Sequence, residues 1–177
     1  MRNDPAMYYQ EQVEQWQLAL DEEDSEPNRN VYRQLRYEAA SLNAQYQRVL
    51  HAHISMYGAL TLSSTDNYCI FSEDASESGR FRYQVFNKTG FIGHTTRDTV
   101  GEILLEAFKD GFRTIESSFV LGEFSRTVEW QRGSLVNDLV QKVNRGILSY
   151  DEANLEHEAG LKRIYAQPDN VFAAFVS

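Results

Sequence analysis

The sequence predicts an α+β protein: an N-terminal helical hairpin followed by a small antiparallel sheet with helices packed on one face. Three observations lead there. Apolar residues recur at steps of three and four as far as Tyr57; they alternate singly with polar residues from Arg80 to Val85; and two capping boxes, Thr99 with Glu102 and Ser149 with Glu152, mark later helix starts. The 177 residues suffice for a core without metals or disulfides. The change of texture near Gly58 divides the chain into a helical hairpin, 1–58, and an α+β domain, 59–177, made of a ββ(β)αβ unit plus C-terminal helices.

Asp4 before Pro5 reads as an N-cap with proline at the first helical position, where a missing N–H costs nothing. Tyr9, Val13, Trp16 and Leu20 then share one stripe. The run Asp21 to Pro27 interrupts it as a charged linker. Beyond it Val31, Leu35, Ala39, Leu42, Tyr46, Val49 or Leu50, His53 and Tyr57 continue the rhythm on a second, long helix. Two such helices cover each other's stripes when they fold back as a hairpin. A homodimer through the same stripes is the rival packing.

In the second part, Asn67 to Phe71 and Phe81 to Val85 read as strands, with Phe81, Tyr83 and Val85 on one face and Arg80, Arg82 and Gln84 on the other. The turn Lys88-Thr89-Gly90 leads to a third strand, Phe91 to Thr95. The Thr99 box opens a helix whose buried stripe is Val100, Ile103, Leu104, Ala107 and Phe108, closed by Gly111. Phe112 to Val120 is expected to return as a fourth strand. Ser134 is expected to open a helix through Leu135, Val136, Leu139, Val140 and Val143 that ends at Gly146. The Ser149 box opens another, through Leu155, Ala159 and Ile164, before Pro168. The apolar end, Val171 to Val176, is expected to dock.

Composition narrows the function. Asp+Glu number 26 against 17 Lys+Arg, a net charge of −9, which disfavours direct nucleic-acid binding and attraction to an anionic membrane. No stretch is apolar enough to span a bilayer, and the N-terminus runs into polar residues without a signal-peptide core, so a cytoplasmic location is expected. The single cysteine, Cys69, forms neither an internal disulfide nor a multi-cysteine metal site. Phosphate-cradling glycine motifs, His-Glu-x-x-His and Gly-x-Ser-x-Gly are all absent. No cofactor, no metal and no catalytic residue are therefore expected.

Three surfaces remain. Asp21, Glu22, Glu23, Asp24 and Glu26 place five carboxylates in six residues, and Glu73, Asp74 and Glu77 place three in five. Carboxylates spaced this densely can stand where phosphates lie in a basic groove. The leading expectation is thus a non-enzymatic acidic protein, an inhibitor or adaptor, engaging a basic, nucleic-acid-binding surface of a protein partner. His94, Thr96 and Arg97 offer a ring, a hydroxyl and a guanidinium at a helix entrance, an anion-binding arrangement and the basis of an enzyme alternative. Arg80 and Arg82 form the best basic patch for the nucleic-acid alternative, though Phe81 and Tyr83 fall on the opposite face. His51 and His53, two apart on a helix, diverge by about 200° and cannot share an ion.

Overall fold

The computed structural model describes residues 4–56, 60–74 and 78–166. Tyr57, Glu77, Pro168 and the apolar end Val171 to Val176 lie outside them. The architecture is α+β, with N-terminal helices followed by a five-stranded sheet and further helices. In chain order come α1 (Tyr8–Glu22), α2 (Glu26–Met56), β1 (Thr61–Ser63), β2 (Tyr68–Glu73), β3 (Phe81–Asn87), β4 (Gly90–Arg97), α3 (Val100–Lys109), β5 (Thr114–Glu116), α4 (Val120–Phe124), α5 (Val128–Asn144) and α6 (Tyr150–Ala166). The strand order is β4-β3-β2-β1-β5, and β1 runs antiparallel to both of its neighbours.

Among the described residues, those from 4 to 85 with 93–118 form one unit, and 86–92 with 119–166 form a second. In the first, Asp4 accepts from the Ala6 N–H and caps a short 3₁₀ turn, Pro5–Met7, rather than opening the α-helix directly. That turn is fixed by Gln47, whose amide donates to the Ala6 carbonyl at 2.9 Å, and α1 follows from Tyr8. The two long helices fold back antiparallel. Trp16 stacks on Tyr32 at 6.1 Å, Asn43 donates to Gln10 at 3.0 Å, and Tyr9 meets Tyr46 edge-on at 5.6 Å.

Tyr46 and Val49 of α2 then join Leu62, Cys69, Phe71 and Tyr83 of the sheet and Ile103, Leu104, Ala107 and Phe108 of α3 in one buried cluster. Ala39 is buried further along α2, while Val31, at the far end of the stripe, is 55% exposed. The Thr99 capping box forms with both reciprocal bonds, and Gly111 follows the helix with φ +95°. Tyr83 donates its phenolic hydrogen to the Asp110 carboxylate just beyond α3.

Several boundaries differ from those the sequence suggests. Strand β1, unmarked by any alternation, is buried at all three residues and bonded through partners on both sides. Only Thr114–Glu116 of the stretch from Phe112 to Val120 is strand, because Val120 already begins α4. Ser63 Oγ, on β1, donates to Glu116 at 2.6 Å, which ties this short edge strand down. Glu26 and Pro27 belong to the first turn of α2, where an acidic residue and an N–H-free proline are both suited, so the connection shrinks to residues 23–25.

The second unit is built on aromatic contacts. Phe86 and Phe91 flank Trp130 at 5.9 and 5.1 Å, and Phe124 meets Phe86 at 6.4 Å. Phe86 is fully buried, so the residues of β3 that alternate with Phe81, Tyr83 and Val85 are not uniformly polar. Helix α5 starts at Val128, capped by Thr127 rather than Ser134; the Thr127 hydroxyl accepts from Trp130 N–H at 3.2 Å and donates to the Phe124 carbonyl at 2.8 Å. Ser134 is therefore interior to α5, not its cap. Leu139 is buried but Val136 and Val140 are exposed, and in α6 the buried residues are Ala153 and Gly160 while Leu155 is 69% exposed. The Ser149 box forms as the sequence predicts.

Candidate functional site

The densest charge on the described surface lies where α1 hands over to α2. Helix α1 carries no basic residue in its last turn but ends on Asp21 and Glu22, so two carboxylates face the negative pole of the helix dipole. Arg29 supplies the counterweight. Its Nη1 donates to the Leu20 and Glu23 carbonyls at 3.0 and 2.8 Å, closing the orphaned C-terminal groups of α1 from the next helix.

The five carboxylates divide by role. Glu23 accepts from Ser25 N–H at 2.8 Å and from the Asn28 amide at 3.0 Å, and these bonds hold its carboxyl below the usual range. Glu26 pairs with Arg33 at 2.7 Å and Arg29 at 3.7 Å, and Arg33 likewise pulls its pKa down. Asp21 accepts from the neutral Gln17 amide at 2.7 Å. Asp21, Glu22 and Asp24 are all exposed. Glu26 is exposed as well, but its charge is balanced by Arg33 and Arg29, so those three carry the unbalanced outward charge.

The second acidic run behaves differently. Glu73 is exposed at the end of β2, but Asp74 is buried, its N–H bonded to the Arg80 carbonyl at 2.8 Å and its carboxylate accepting from Thr96 Oγ1 at 3.3 Å. A residue that reads as a solvated loop charge instead ties the ends of two strands together. Its own bonds draw it inward.

Two of the three residues read as an anion site, Thr96 and Arg97, are committed within the fold. Arg97 pairs with Glu106 at 2.9 Å and donates to the Thr96 carbonyl at 2.8 Å, and the Thr96 hydroxyl is turned to Asp74. His94 is exposed and, on alternation, shares a strand face with Thr96 but not with Arg97. Arg80 pairs with Asp98 at 3.1 Å. Cys69 is fully buried opposite Leu62 of β1, its thiol pushed well above its ordinary range by burial, while β3 separates its strand from that of His94. Cys69 and His94 therefore do not meet.

His51 is exposed and His53 half-buried on α2, and no group of three or more His, Cys, Asp or Glu among the described residues is placed to hold a metal ion. No helix among them is long and apolar enough to cross a membrane. No protein-family model, curated protein or solved structure matches the chain.

Proposed function

We propose that the protein acts by protein–protein contact as an acidic inhibitor or adaptor, presenting the α1–α2 connection to a basic surface of a partner that itself binds nucleic acid. The observation that carries this is the exposed set Asp21, Glu22 and Asp24, two of them at a helix C-terminus where local stability favours cations. These carboxylates do not serve the stability of α1 and are free to meet a basic partner. Glu23 and Glu26 serve a different end: their bonds to Ser25, Asn28, Arg29 and Arg33 shape the connection. The rival readings draw less support, because Arg97 and Arg80 both have carboxylate partners of their own.

The test uses proteins retained on heparin as the source of basic, nucleic-acid-binding surfaces. The native chain should capture a partner from this pool, DNA should compete for it, and capture should weaken as salt rises. Combined Asp21→Asn, Glu22→Gln and Asp24→Asn should abolish capture with the fold intact. Capture that survives the substitutions and is flat with salt refutes the proposal.

A further inference from the structure

Helices α5 and α6 of the second unit run antiparallel: Gly160 lies against Leu135, and Glu156 reaches Lys142, seven residues further along α5, at 3.5 Å. Leu135 and the buried Leu139 thus face the buried Ala153 and Gly160. With each residue turning about 100°, the residue before a facing position falls on one side of an antiparallel pair, and the residue after it on the other. On the first side Asp138 and Glu156 share Lys142, at 2.9 and 3.5 Å, which closes that side with charge. On the second side α5 presents Val136, Val140 and Val143, and α6 presents Leu161 and Tyr165, with the polar Glu158 and Asn154 further along. Val136, Val140 and Tyr165 are exposed and Val143 and Leu161 half-buried, so the groove on this side is largely apolar and uncovered.

The chain carries a segment of matching length and chemistry. From Tyr165 to Val143 the groove measures roughly 20 Å along the helix axes, at ~1.5 Å per residue. Residues 171–176, Val-Phe-Ala-Ala-Phe-Val, lie outside the described residues, are all apolar, and span about 20 Å when extended. Both faces of such a segment are apolar, which suits a groove with two walls better than a flat surface. It begins five positions after Ala166, where α6 ends beside Tyr165. The connection, Gln-Pro-Asp-Asn, holds three turn-forming residues and has the length of an ordinary reversal. Attachment over so few residues gives the segment an effective concentration of order millimolar at the groove, whereas a second copy of a chain with net charge −9 arrives against repulsion.

We propose that residues 171–176 dock in the groove between α5 and α6, antiparallel to α6, with Val171 beside Tyr165 and Phe175 beside Val140. The segment supplies the apolar cover that α6 lacks, since Ala153 and Gly160 are the only buried residues of that helix. The groove takes no part in the acidic connection.

Cysteine pairs placed in the full chain, whose own Cys69 is buried, test the assignment. One variant combines Val140→Cys with Phe175→Cys; the other combines Leu155→Cys, an exposed position on the far side of α6, with Phe175→Cys. Under mild oxidation the first pair should close a disulfide within one chain about tenfold faster or more than the second, read on non-reducing gels. Equal rates overturn the proposal, and disulfides that join two chains overturn it in favour of a second copy in the groove. Melting temperatures give an independent reading. Phe172→Ser with Phe175→Ser, and Val136→Ser with Val140→Ser, should each lower the melting temperature, and all four together should lower it no further than the larger of the two losses. Losses that add, or no loss from either set, overturn the proposal. Should a serine variant fail to fold, the disulfide rates decide alone.

Discussion

Gly133 of α5 lies directly against the backbone of Thr89 in the β3–β4 turn: a Cβ on Gly133 would sit 1.6 Å from the Thr89 carbonyl oxygen and 2.8 Å from its carbon. Neither neighbour is the end of a flexible side chain, so the contact can be relieved only by moving backbone. The amide of Asn137, one turn further along α5, donates to the Phe91 carbonyl at 2.7 Å on the other side of the same turn. Together they fasten the helix to the end of the hairpin.

Gly133→Ala should therefore destabilise the protein by about 3 kcal/mol or more, at the upper end of overpacking effects, despite raising helix propensity. Gly160 provides the comparison. A Cβ there would meet Leu135 Cδ2 at 2.5 Å, the end of a side chain that can turn away, so Gly160→Ala should cost about 1 kcal/mol. Urea denaturation of both variants checks the order; equal losses would mean that the α5 contact yields as easily as a leucine does.

Stability should fall in alkali. Burial, with the Asp110 carboxylate second, pushes the Tyr83 phenol up to about 12, and burial raises Tyr9 and Tyr46 as well. A phenol whose pKa is raised on folding contributes in full below its unfolded value near 10 and loses that contribution as pH climbs through its folded value. For Tyr83 the window is pH 10 to 12, worth on the order of 2 kcal/mol. Tyr83→Phe should cost about 1 kcal/mol at neutral pH and make the alkaline decline shallower, read from melting temperatures across that range.

Neutralising the outward carboxylates should leave the protein as stable as before or more so. Asp21→Asn and Glu22→Gln each relieve an unfavourable charge at the end of α1, by about 0.3–1 kcal/mol at low salt. Glu23→Gln should lower the melting temperature, because Glu23 receives the Ser25 and Asn28 bonds that shape the connection. A melt in which all three behave alike would show that position within this run is irrelevant.

Thr127→Ala should cost about 1 kcal/mol, the usual loss for an N-cap, and Ser134→Ala close to nothing. The reverse order in denaturant titrations would return the start of α5 to Ser134.

What the sequence makes legible follows from how far each element's partners lie along the chain. Thr99 with Glu102 and Ser149 with Glu152 carry both halves of their bonds within four residues, and both boxes form. Strand β5 has three residues and pairs with β1 across more than fifty positions, as Glu116 with Thr61, while β1 is three residues buried throughout, so neither shows an alternation that would announce it. Thr127 escapes notice because the first turns of α5, Val128 to Gly133, bring polar residues and a glycine before the apolar run at Leu135. In the candidate site the acidic run is plain, but its division of labour is not. Glu23 and Asp74 look like their neighbours until Ser25, Asn28 and Thr96 are seen to bond them.

Cys69 gives the sheet a built-in reporter. It is the chain's single thiol, fully buried on β2 and paired in register with Leu62 of β1. Burial both blocks access and withholds the thiolate, the form that reacts. A thiol-modifying reagent can then reach it only during moments when the helices lift from the sheet or the strands part. The rate of labelling at Cys69, followed by mass spectrometry under native conditions, thus clocks how often the centre of the first unit opens, with no tag or substitution introduced.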